Sequence, residues 1–143
     1  MFTDNEEQNT MLKLLEEWTT DPENIKEMFI AIKDYVLAKK MITLRFISRP
    51  GISYSLRAVL EKQDKDIRPL FVMVDIIDDN PSDRWLSVCF YGDMISDPDE
   101  LGDLVPGGLL GEDGHCFDFY EHDKIMLNYI KARINEAYNT MAS

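Results

Sequence analysis

The sequence predicts an α+β domain of two layers, a four-stranded antiparallel meander with N-terminal and C-terminal helices packed on one face. Three observations predict it. Apolar residues fall at helical spacing before residue 40 and again after residue 125. Between Met41 and Tyr91 they alternate instead, which is strand spacing. The links between the strands are short, so consecutive strands pair antiparallel and the helices at the chain ends share a layer.

The elements follow in order. Residues 1–9 are polar and are expected to fray. Met11, Leu14, Leu15 and Trp18 mark a helix ending near Trp18. Thr20-Asp21-Pro22-Glu23 signals a second start, with Asp21 as cap and Pro22 in the first turn. Ile25, Met28, Phe29, Ile32 and Val36 then line one face to about Lys39, and Lys39 and Lys40 suit the negative helix end. Ile42, Leu44 and Phe46 alternate with Thr43, Arg45 and Ile47, and Arg49-Pro50-Gly51 is a turn into Ile52, Tyr54, Leu56 and Ala58. A two-residue loop would pair Leu44 with Arg57 and mix the faces. A three-residue loop with Gly51 left-handed pairs Leu44 with Leu56 or its apolar neighbours, and is expected.

Residues 61–68 are charged and read as a loop. "LFVMVDII" (70–77) is apolar apart from Asp75 and suits a central strand, and "WLSVCFY" (85–91) is the fourth strand. Residues 92–114 hold six of the seven glycines and read as a long loop. Met126, Ile130, Ile134, Ala137, Tyr138 and Met141 give the C-terminal helix. No repeat or linker divides the chain, so residues 1–143 form a single domain.

The formal charge of −12 opposes nucleic acid and anionic membrane surfaces, since affinity for both rests on Lys and Arg, and it admits a basic partner. No apolar run approaches the ~18 residues of a membrane span, and the acidic start resembles no secretory signal. Two cysteines make no disulfide framework, so a cytoplasmic protein with reduced thiols is expected.

The stretch "LVPGGLLGEDGHCF" (104–117) looks functional, yet the chemistries it suggests fail. No lysine follows Gly111 or Gly114 to hold phosphate, and Gly107 and Gly108 are adjacent rather than spaced for a dinucleotide. Asp97, Asp99 and Gly102 fit three positions of a calcium loop, but Leu101 and Gly108 stand where two further ligands belong. Cys89, His115, Cys116 and His122 lack zinc spacing. No metal and no cofactor are therefore expected. Cys116 with His115 or His122 leaves a cysteine-dependent enzyme as one alternative. The stretch itself is expected to be a cover, with Leu104, Val105, Leu109, Leu110 and Phe117 packed onto the Trp85–Tyr91 strand and Glu112 and Asp113 in water.

If Leu44, Leu56, Val72, Val74, Leu86 and Val88 face the helices, alternation sends Thr43, Arg45, Ser53, Ser55, Arg57, Phe71, Met73, Asp75, Trp85, Ser87, Cys89 and Tyr91 to the other face. Arg45, Arg57, Asp75, Trp85 and Tyr91 are the ligand-binding candidates. They point to a binding module for a small-molecule ligand or a protein partner, with a homodimer allowed. An acidic adaptor or chaperone for a basic protein is the second reading.

The central segments "ISRPGISYSLRAVL", "RPLFVMVDII" and "RWLSVCFYGD" resemble the YdhG-like small bacterial α/β domains, whose Ile-Ser-Tyr strand is matched by Ile52, Ser53 and Tyr54. That resemblance implies helices before a short antiparallel sheet and one after it, and a bacterial source. It implies no catalytic residue. The Gly92–Gly114 segment departs from the family pattern.

Overall fold

The computed structural model describes all 143 residues. Helices α1 (Asn5–Glu17) and α2 (Ile25–Leu37) precede strands β1 (Ile42–Arg49), β2 (Ser53–Leu60), β3 (Val72–Ile77) and β4 (Trp85–Tyr91). A single 3-10 turn (Gly92–Met94), β5 (Asp103–Leu109), β6 (Glu112–Phe119) and α3 (Lys124–Ala142) complete the chain. The sheet has six antiparallel strands in the order β1-β2-β3-β4-β6-β5. The fold is α+β with helices from both chain ends, but two strands more than the sequence predicts.

Both extra strands come from the segment expected to be a loop. β5 and β6 form a hairpin, and β6 pairs with β4. Leu110 and Gly111 make its turn, both with positive φ (51° and 91°), the geometry of a primed hairpin turn. A leucine there hides the usual Asn-Gly or Asp-Gly signal. The register also shifts between Val105 and Leu109, where Pro106, Gly107 and Gly108 interrupt the alternation. Gly108 is required by packing, since a Cβ would fall 2.2 Å from Val105 Cγ1. The stretch is thus not a cover. Leu109 and Phe117 are buried, but Leu104, Val105 and Leu110 remain exposed.

Residues 1–9, expected to fray, have hydrogen-bond partners on the sheet. β1 is an edge strand whose outward amides need partners, and the N-terminus supplies them. The Met1 carbonyl accepts from the Leu44 amide at 2.8 Å, Phe2 bridges to Leu44, and Glu7 Oε1 accepts from the Phe46 amide at 2.8 Å. Asp4 caps α1 through the amides of Glu6 and Glu7. At α2 the N-cap position is Asn24 rather than Asp21, although the Asp21 carboxylate accepts from the Ile25 and Lys26 amides. The helix begins three residues later than Pro22 would allow, after an intervening turn.

The β1–β2 connection is the three-residue loop Pro50, Gly51, Ile52, with Gly51 at φ 82°. It pairs Leu44 with Ala58 and Phe46 with Leu56, and sets Arg45 opposite Arg57. One sheet face, with Leu44, Leu56, Val74, Leu86, Val88 and Phe117, closes on α1, α2 and α3 as one core. Phe71 joins this layer rather than the opposite face, its ring edge-on to Tyr138 of α3 at 5.9 Å. The other face has no helix over it.

Candidate functional site

The five residues singled out from the sequence do not form one site. Arg57 and Asp75 are neighbours at the centre of the open face. The Arg57 Nε donates to Ser55 Oγ at 3.2 Å, and Ser55 lies opposite Asp75 across the strands. Burial raises the Asp75 pKa, against the pull of the Ser55 hydroxyl and of Arg57 and Arg49. Its Oδ1 has no hydrogen-bond partner. Arg45 lies opposite Arg57, but Glu7 holds it through Nε and Nη2 at 2.9 and 2.7 Å. Tyr91 is buried beneath the Arg68 guanidinium, 4.3 Å from its ring centroid, and Arg68 is clamped by Asp93 and Glu112. Trp85 lies six residues away on the same strand, roughly 20 Å.

Trp85 belongs to a different feature. At the end of the sheet where β4 begins and β6 ends, a cleft of about 510 Å³ opens to solvent. Its walls are Trp85, Phe119, Tyr120 and Met126 together with Glu23, Asp83, Asp118, Glu121 and Asp123. The Trp85 and Tyr120 rings stand 4.9 Å apart, tilted by 34°. No lysine, arginine or histidine lines the cleft, and none of its five carboxylates makes an ion pair. Burial together with the Asp118 and Asp103 carboxylates raises the Tyr120 pKa, as a negative field should. The positive ends of α2 and α3 point here and each contributes about half a charge, too little to offset five carboxylates. The sequence shows these acids individually. It does not show that residues 23, 83, 118, 121 and 123 converge, because that depends on β6, which has no strand signal in the sequence.

A second polar cluster also escapes the sequence. His115 Nε2 meets Asp97 Oδ2 at 2.8 Å, and the Tyr129 hydroxyl donates to Asp97 Oδ1 at 2.5 Å. The amides of Leu101 and Gly102 donate to the same carboxylate. Burial alone would raise the Asp97 pKa. The bonds from Tyr129, Gly102, His115 and Leu101 outweigh it and hold the carboxyl well below the ordinary range. Asp97 is therefore spent on fastening residues 97–102 to β6 and α3. Of the calcium-like residues, Asp97 serves this knot and Gly102 donates to it through its amide.

His115 and Cys116 point to opposite faces of β6, and Cys116 is disulfide-bonded to Cys89, its register partner on β4. This corrects the expectation of reduced thiols. Spacing along the chain gives no hint, because the two cysteines become neighbours only once the 92–114 segment folds into the sheet. Neither sulfur is then a free nucleophile.

No helix is long and apolar enough to cross a membrane. Comparison with protein-family models, curated proteins and solved structures yields no match.

Proposed function

We propose that the chain is a binding module that takes Lys or Arg side chains of a basic protein segment into the cleft between Trp85 and α3. The observation that carries this reading is the lining: five carboxylates without an ion pair beside two aromatic rings in contact, tilted by 34°. Carboxylates bind ammonium and guanidinium groups by charge-assisted hydrogen bonds, and aromatic faces attract the same groups. The net charge of −12 steers basic partners toward the surface. This favours the acidic adaptor over a module built on the Arg45, Arg57, Asp75, Trp85 and Tyr91 face, because those side chains are dispersed and two of them are engaged. The cysteine-enzyme reading loses its thiol to the disulfide.

Calorimetric titration with a short Lys/Arg peptide tests the proposal. Saturable binding that weakens about tenfold or more in a Glu23→Gln/Glu121→Gln variant is expected, at roughly 1.4 kcal/mol per decade. Equal affinity in the variant rejects the cleft, and spermidine binding without peptide binding would assign it to small polyamines instead.

A further inference from the structure

One register row crosses the whole open face of the sheet. It runs Arg45, Arg57, Met73, Cys89, Cys116, Asp103, in the strand order β1-β2-β3-β4-β6-β5. The row is cationic at one end, anionic at the other, and apolar or sulfur between. The adjacent row, Ile47, Ser55, Asp75, Ser87, Asp118, also ends on a carboxylate. Arg57 bonds Ser55 Oγ through Nε and makes no ion pair within the chain, so its charge is unanswered.

We propose that this face docks a second copy of the same chain, face to face, about a two-fold axis parallel to the strands and midway between β3 and β4. The charge pattern selects that axis. Rotation about it lays β1 over the partner's β5, β2 over its β6 and β3 over its β4. A two-fold axis across the strands would instead lay like charge on like charge. With the first axis, Arg57 lies between Cys116 of the partner subunit and Asp118 of the partner subunit, while Arg45, which Glu7 already holds at 2.7 Å, lies over Asp103 of the partner subunit. Both pairings occur twice, as an isologous interface requires.

The face measures roughly 24 Å by 20 Å, from about 4.8 Å between strands and 3.3 Å per residue. Two such faces bury about 1,000 Å², near the lower limit for a specific interface. Both copies carry −12, so the dimer is reversible and depends on concentration.

Sedimentation of the full chain over a micromolar to millimolar series tests the arrangement with two charge reversals. The weight-average mass of the unmodified chain should rise toward that of a dimer. Arg57→Glu and Asp118→Lys should each stay monomeric while keeping a folded circular-dichroism spectrum. Mixed in equal amounts, the two variants should recover dimer. In the mixed pair, the carboxylate introduced at position 57 of one chain faces the ammonium introduced at position 118 of the other. The second contact keeps the original Asp118 and Arg57, one from each chain. Recovery on mixing also shows that both variants fold. A monomeric parent chain, a dimer indifferent to either reversal, or a mixture that stays monomeric would overturn the proposal. These readouts are masses, and because Asp118 also lines the cleft, peptide binding is judged on Glu23→Gln/Glu121→Gln, which leaves the Arg57 and Asp118 contact unchanged.

Discussion

The Asp97 knot and the Trp85 cleft are both acidic and both lie beside β6, yet their carboxylates are used in opposite ways. Asp97 has as neighbours two backbone amides, a tyrosine hydroxyl and an imidazole nitrogen, all bonded to its two oxygens. None of the five acids of the cleft makes an ion pair, and among them Asp123 accepts from the Ile125 and Met126 amides that it caps. The difference teaches that what marks a binding site is the balance of donors and charge around acids, and not their number. A carboxylate whose oxygens are filled from within holds the fold together. One whose charge goes unanswered is available to a partner.

The largest expected effects lie in the knot. Asp97→Ala strands the Tyr129 hydroxyl, the His115 ring and two amides, and should cost about 3 kcal/mol in denaturant unfolding. Unchanged stability would show that the bonds are decorative and would erase the contrast. Gly102→Ala should cost about 1–2 kcal/mol by overpacking. A Cβ there would sit 2.8 Å from His115 Cδ2 and 2.9 Å from the Cys116 carbonyl oxygen, and the backbone oxygen cannot swing aside.

Acid sharpens the comparison. The folded Asp97 carboxyl has a depressed pKa, so its contribution is complete above the unfolded carboxyl value near 4 and is lost as pH falls toward the folded pKa. Stability measured from pH 6 downward should therefore decline below about pH 4–5, and Asp97→Asn should flatten that decline. Asp75 has the opposite sign. Its raised pKa favours folding while it is protonated, and that contribution fades as pH rises through the folded value. Asp75→Asn should stabilise the monomer at neutral pH, with a gain that shrinks on acidification. The cleft gives the smallest effect. Glu23→Gln/Glu121→Gln should leave stability within about 0.5 kcal/mol or raise it slightly, because it relieves repulsion and breaks no ion pair. A loss comparable to that of Asp97→Ala would make the cleft structural.

Much of the fold is legible because the period of the apolar residues carries it. The helical face Ile25, Met28, Phe29, Ile32, Val36 and the alternation from Ile42 to Ala58 point to one core, and the demand that faces not mix selects the three-residue turn at Gly51. The β5–β6 hairpin is illegible for a physical reason. Its turn has a leucine at positive φ, and a Pro-Gly-Gly bulge breaks the alternation. That single omission hides the disulfide, the Asp97–His115 contact and the cleft, since each depends on where β6 lies. The seal on β1 is equally hidden, because polar residues 1–9 have no apolar pattern and are ordered by amides of another strand. Of the expected site residues, Arg57 and Asp75 fall on one face, as alternation places them, but no ion pair joins them. Trp85 and Tyr91 share a strand and a face, but strand geometry separates them too far to act together.

The cleft is tested most directly by watching the two tryptophans during addition of a Lys/Arg peptide. Trp85 lines the cleft, whereas Trp18 is buried in the helical layer. Two-dimensional NMR should show the Trp85 indole N–H resonance shifting saturably with the peptide while the Trp18 indole stays fixed. A peptide that binds without moving Trp85, or that moves neither indole at saturating concentration, would contradict the account.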